Sequence, residues 1–247
     1  MYVKVRLLAN AREVFNMLQD PNVVVWTALI VGYVENGKSE EALDLFEQMK
    51  RRRVSPDVAA YLYCLKACAD IGAIEKGNQV HEEIVGRNLL EKDIVLGTAL
   101  VDMYAKCGIL TKAQQILEEL YIRDEVSWSA LITGYVKEEK HTRALTCFER
   151  MQIEGLSPDA VTLLCVLNAC SQGGLVEKGQ LYFETFITDY GLSPTIEHYN
   201  CIIDLLCRAG HIDMAIGMTK KMPFHPGIVV WHTILGACRK WGNIELG

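Results

Sequence analysis

Residues 23–57, VVVWTALIVGYVENGKSEEALDLFEQMKRRRVSPD, and residues 125–159, EVSWSALITGYVKEEKHTRALTCFERMQIEGLSPD, agree at 17 of 35 positions without a gap. The shared residues include Trp26/Trp128, Gly32/Gly134, Tyr33/Tyr135, Phe46/Phe148, Met49/Met151 and the SPD triplets that end at Asp57 and Asp159. A third tryptophan, Trp231, lies 103 residues beyond Trp128, which itself lies 102 beyond Trp26. Self-similarity at a fixed period marks a repeat architecture, in which no unit can bury its own apolar surface and neighbours must stack.

Each long period divides into three related units. Their lengths are 35 (23–57), 36 (58–93) and 31 (94–124), then 35 (125–159), 36 (160–195) and 32 (196–227). Residues 1–22 read as the tail of an earlier short unit, and residues 228–247 open a further one. The amino end thus falls in the middle of a unit and reads as a truncation. The six prolines, Pro21, Pro56, Pro158, Pro194, Pro223 and Pro226, all lie in unit tails, where a helix must stop. Glycine holds the fifteenth place of six of the seven unit starts (Gly37, Gly72, Gly108, Gly174, Gly210, Gly242), where a first helix is expected to close through a left-handed residue. Glu139 is the exception, so its hairpin must close differently or with strain. After each of these places a second amphipathic pattern follows. In the first full unit Ala42, Leu43, Leu45, Phe46 and Met49 face inward, and Glu40, Glu41, Asp44 and Glu47 face outward. The expected fold is all-α, a right-handed α-solenoid of tandem antiparallel helix–turn–helix units.

Composition narrows the function classes. Half of the 247 residues are apolar, yet no apolar run approaches the ~20 residues of a membrane span. Neither a secretory signal nor a transit peptide opens the chain. Nine cysteines without a CxxC pair argue against a zinc ribbon and a disulfide framework, and Cys68, Cys107, Cys170, Cys207 and Cys238 are expected to pack as small apolar residues. The net charge of −6 excludes nucleic-acid binding by phosphate neutralisation alone, so any such role must use base contacts and local charge.

The stretches VVVWTALIVGYVENG (23–37), EVSWSALITGYVKEE (125–139), LKACADIGAIEKGNQVH, TALVDMYAKCGIL and IEHYNCIIDLLCRAGHID followed by MPF resemble the pentatricopeptide repeat family. The 35, 36, 31 alternation resembles its plant organellar subclass of P, L and S repeats. In those terms 1–22 is a partial S-type repeat, 23–57 and 125–159 are P-type, 58–93 and 160–195 are L-type, and 94–124 and 196–227 are S-type. IVVWHTILGACRKWGNIELG (228–247) resembles the opening of that subclass's carboxy-terminal E extension. The resemblance implies sequence-specific binding of single-stranded RNA in mitochondria or chloroplasts, often to select a cytidine for conversion to uridine. It also implies docking of an editing deaminase or cofactor through the extension. The HxE…PCxxC arrangement of a zinc deaminase is absent, as are a Walker loop and a GxSxG elbow. His81–Glu82–Glu83, the nearest His/Glu cluster, reads as a solvated face. The chain is expected to have no catalytic residue, metal or cofactor.

A helical-repeat reader meets each unstacked base with two or three side chains of one unit. Val24, Val95, Val126 and Val161 stand second in their units and are placed to wedge between successive bases. By resemblance, discrimination comes from the fifth and last residues: Thr27/Asp57, Leu62/Asp93, Thr98/Asp124, Ser129/Asp159, Leu164/Thr195 and Asn200/Gly227. Hydroxyl–carboxylate pairs resemble guanine readers, which gives G, unspecified, G, G, unspecified, unspecified from 5′ to 3′. Asp and Thr at unit ends also make good helix caps, and both roles can coexist. Lys106, Lys137 and Arg208 share the thirteenth place and are candidates to track phosphates, while Glu35 and Asp70 interrupt that series. The main rival function is an α-solenoid scaffold for protein partners.

Overall fold

The computed structural model describes residues 2–90 and 93–242. Among them are fourteen α-helices and no strand. They are α1 (Tyr2–Met17), α2 (Val23–Glu35), α3 (Ser39–Arg51), α4 (Val58–Ile71), α5 (Ile74–Gly86), α6 (Ile94–Lys106), α7 (Leu110–Glu119), α8 (Glu125–Lys137), α9 (His141–Ile153), α10 (Ala160–Gly173), α11 (Val176–Thr188), α12 (Ile196–Arg208), α13 (Ile212–Lys221) and α14 (Ile228–Trp241). The even-numbered helices α2 to α14 start at the first residue of each unit delimited in the sequence. The chain forms two compact units, 1–130 and 131–247, with the border inside α8. Each is an all-α solenoid. In the first, α2, α4 and α6 pack in succession and each packs against its own partner, α3, α5 or α7. In the second, α10, α12 and α14 do the same, with α11 and α13 beside them.

Local chemistry sets the borders. Asn22, Asp57, Asp93 and Asp159 are extended residues whose side chains accept an amide of the first turn of α2, α4, α6 and α10. Such caps satisfy donors that a helix start leaves orphaned. The turns between paired helices close through left-handed residues, at φ 71° for Gly37, 77° for Gly108 and 83° for Gly210. Glu139 answers the sequence's exception. It adopts φ 55°, so its hairpin closes the same way, with the strain a Cβ incurs there. A second left-handed series, Arg53, Asn88, Gly155 and Gly191, follows α3, α5, α9 and α11. The short units lack it; α7 and α13 run into the extended residues Leu120 and Met222.

Packing follows the repeat. In the first unit Phe15 meets Trp26 edge-on at 4.6 Å between ring centroids, and Phe46 meets Tyr61 at 5.7 Å. In the second, Phe148–Tyr182 and Phe183–Tyr199 pack the same way at 5.0 and 5.2 Å. Gly77 of α5 and Gly179 of α11 let the following first helix approach closely. A Cβ at Gly77 would stand 2.7 Å from Met103 Sδ, and one at Gly179 2.3 Å from Leu205 Cδ2. Cys68, Cys170, Cys207 and Cys238 are buried free thiols within this packing, and Cys107 is half-buried.

Two sequence expectations need correction. Glu47 does not simply face water; it pairs with Lys76 of the next second helix, while Lys50 pairs with Glu83. Glu149 and Lys178, 2.8 Å apart, repeat the first of these bridges 102 residues later. Nor is His81–Glu82–Glu83 a solvated face. His81 is half-buried with Nδ1 3.0 Å from the Tyr104 hydroxyl, and only Glu82 is exposed. The cluster lies where α5 meets its neighbours, so its polar groups serve hairpin stacking.

Candidate nucleic-acid interface

The second residue of a first helix sits in its opening turn, before the helix turns toward its partner. Val24, Val95, Val126 and Val161 are all 56–66% exposed, although valine is normally a core residue. The same place in α14 is Val229, also exposed, which the sequence reading passed over despite its identical phase.

In two hairpins, Thr27/Asp57 and Thr98/Asp124, the fifth and last residues meet because the last residue caps the next first helix, and that fixes where its side chain points. Asp57 Oδ1 accepts the Ala60 amide at 2.8 Å and the Thr27 hydroxyl at 3.0 Å. Asp124 divides the same work, taking the Ser127 amide on Oδ1 at 2.8 Å and the Thr98 hydroxyl on Oδ2 at 3.0 Å. Thr27 and Thr98 are 7% and 8% exposed, so their hydroxyls are held by the carboxylate rather than by bulk solvent. Asp159 caps α10 through the Thr162 amide and hydroxyl, both at 2.7 Å, and Ser129 is half-buried in α8.

The remaining pairs differ. Leu62 is half-buried and makes no polar contact, while Asp93 accepts the Val95 amide at 2.9 Å. Thr195 is engaged in a capping box with His198, whose other ring nitrogen lies 2.7 Å from the Ala160 carbonyl. Opposite Gly227, which has no side chain, the Asn200 Oδ1 is buried without a hydrogen-bond partner. An unmet buried acceptor costs about 1–3 kcal/mol.

Around Thr98 these elements assemble. A cavity of about 310 Å³ is lined by Leu62, Tyr63 and Lys66 of α4, by Val95, Thr98, Asp102 and Lys106 of α6, and by Val126. Two of the exposed second-place valines, one of the carboxylate-held hydroxyls and one of the basic candidates thus border a single opening. Tyr63 and Lys66, with the ammonium 5.5 Å from the ring centroid, are contributors not foreseen from the sequence.

The basic candidates have company. Lys106 Nζ lies 2.8 Å from Asp102 Oδ2, and Arg208 Nε lies 2.7 Å from Asp204 Oδ2, each within one helical turn. Lys137 is exposed, and the residue four places before it is Thr133 rather than an acid. Of the two interrupting acids, Glu35 is met by Lys66 at 2.7 Å, and Asp70 accepts the Ser39 hydroxyl at 3.2 Å.

Among the described residues, no group of three or more His, Cys, Asp or Glu side chains is placed to hold a metal ion, and no helix is long and apolar enough to cross a membrane.

Comparison with known proteins matches this geometry to one family. The PPR repeat family model matches residues 21–70 and 123–172, and the PPR repeat model matches 190–223; together they cover more than half of the chain. A pentatricopeptide repeat-containing protein of Arabidopsis thaliana is 42% identical over 248 residues, covering 100% of this chain and 49% of its own length. The chloroplastic pentatricopeptide repeat-containing protein CRR2 of the same plant is 41% identical over 248 residues, covering 100% of this chain and 38% of its own. The chain spans less than half the length of these curated relatives. Among solved structures, cysteine-substituted PPR10 in complex with an 18-nt PSAJ RNA element aligns at TM-score 0.72 and 16% identity, over 94% of this chain and 35% of that one. In sequence and in fold, the chain belongs to the pentatricopeptide repeat family.

Proposed function

We propose that this chain binds single-stranded RNA, one base per hairpin, as the recognition part of an organellar RNA-processing factor. The observation that carries the reading is the Thr98–Asp124 pair beside a cavity bordered by Val95 and Val126. With its proton directed at Asp124, the Thr98 hydroxyl offers only lone pairs to a ligand, as the carboxylate does. Two adjacent acceptors suit guanine, whose N1–H and N2–H₂ are adjacent donors. Thr27–Asp57 repeats the arrangement, and Ser129/Asp159 supplies the same groups in sequence.

The task this serves is the selection of cytidines for conversion to uridine, in a mitochondrion or chloroplast. Support comes from the 35, 36, 31 order of units, which fits the subclass of P, L and S repeats, and from residues 228–247, which fit the start of the E extension. Through that extension the protein would engage an editing deaminase or cofactor. The relative named chloroplastic and the PPR10 complex with an RNA element are consistent with the reading.

The test is a titration of the chain against short RNAs carrying 5′-GNGGNN, with each guanine changed in turn to the other bases. Each change is expected to weaken binding by about 1–3 kcal/mol, the range for a good bidentate base contact. Equal binding of all variants, or none to any RNA, would overturn the proposal and favour a protein-binding scaffold.

A further inference from the structure

In both short units the first helix places an aspartate at its ninth residue and a cation at its thirteenth: Asp102 with Lys106 in α6, and Asp204 with Arg208 in α12. Neither aspartate caps a helix, and the Asp102–Lys106 pair lines the same cavity as Thr98 and Val126. Asp204 Oδ2 also accepts the buried Ser171 hydroxyl of α10 at 2.7 Å and so has a packing role, whereas for Asp102 an i,i+4 pair, which adds only about 0.3–0.5 kcal/mol to a helix, is a weak structural reason. Its electrostatic effect on a ligand is larger. A phosphate approaching Lys106 also comes within a Debye length, about 8–10 Å, of Asp102, and the two charges cancel.

We propose that Asp102 and Asp204 lower the chain's baseline affinity for RNA by suppressing sequence-independent phosphate binding by Lys106 and Arg208. Base contacts are thereby left to decide which RNA stays bound. The inference rests on the RNA-binding reading above. It also explains how a reader can present basic residues and still not hold every RNA it meets. Lys137 supplies an internal comparison, because Thr133 stands where the acid would be.

The experiment compares the wild-type chain with Asp102→Asn, Asp204→Asn and the double variant, on guanine-matched and guanine-free RNA over a range of salt. Asparagine keeps the size of the side chain and an acceptor for the cation, and thermal melts confirm that each variant is folded. Each substitution is expected to tighten binding of both RNAs about two- to fivefold at low salt. It should also steepen the slope of log K against log salt by about 0.7, the value for one additional phosphate contact on a single strand. Adding Lys106→Gln to Asp102→Asn should remove that gain. Unchanged slopes or weaker binding in folded variants, with the wild type still preferring the matched RNA, would overturn this inference alone. A wild type that binds no RNA would overturn the functional reading itself.

Discussion

Thr98 and Asp124, 26 residues apart in the chain, are joined by a 3.0 Å hydrogen bond in which the threonine is the donor. The same aspartate accepts the Ser127 amide at 2.8 Å and so begins α8. Orientation of the Thr98 hydroxyl and initiation of the next hairpin are one event.

Asp124→Asn tests this directly. Asparagine caps helices about as well as aspartate, so the hairpin should keep its stability within a few tenths of a kcal/mol. The amide adds donors to what was an acceptor-only surface. Preference at that base is expected to swing from guanine toward adenine, read by titrating four RNAs that differ at one place.

Glu139→Gly should stabilise the protein. A left-handed residue with a Cβ costs about 1–2 kcal/mol, part of which is returned by the greater freedom of glycine in the unfolded chain. The net expectation is about 0.5–1 kcal/mol, visible as a higher urea midpoint at unchanged slope. No gain would mean that Glu139 makes a compensating contact.

Gly77→Ala and Gly179→Ala should both destabilise, but unequally. At Gly77 the new methyl meets the flexible end of Met103, which can swing aside. At Gly179 it meets Leu205 Cδ2 at 2.3 Å and Cys170 Cβ at 3.3 Å, with less room to yield. Denaturant unfolding should show a loss of about 1–3 kcal/mol at Gly179 and a smaller one at Gly77. Equal losses would contradict the packing described.

Acid should weaken the fold in two steps. Burial, reinforced by the nearby Lys112 charge, holds His81 below its ordinary value. Burial raises Glu47, but the hydrogen bond and charge of Lys76, with Lys50, outweigh it and leave the carboxyl low. Glu149 is held low by its hydrogen bond from Lys178. A depressed folded-state value means the unfolded chain binds more protons, so stability is present at neutral pH and lost as pH falls. The first loss begins below about 6.5, through His81, and the second below about 4.3, through the glutamates. Unfolding curves at pH 7, 5.5 and 4 should show both, and His81→Asn should remove the first.

Much of the fold was legible because a repeat states each rule several times. Proline positions, the fifteenth-place glycines and the Trp26–Trp128 spacing all point to the same helix borders. The second left-handed series was harder to read, since Arg53 and Asn88 occupy it without a glycine to announce them. In the candidate site, the phase of Val24, Val95, Val126 and Val161 was readable from the sequence, and the same counting would have reached Val229. The i,i+4 spacing of Asp102–Lys106 and Asp204–Arg208 was equally plain, but attention to the cations alone missed their partners. The orphaned Asn200 oxygen and the inclusion of Tyr63 and Lys66 in the cavity depend on side-chain placement between helices, which no spacing rule reports.

The double duty of Asp57 and Asp124 limits how such a protein can be rewritten. On the reading proposed above, any residue installed there to recognise a new nucleotide must also start the following helix, and the side chains that do this well are Asn, Asp, Ser and Thr. The alphabet for recoding is therefore no larger than the alphabet of helix initiation, and a designer who strays outside it trades a change of target for a loosened joint in the chain.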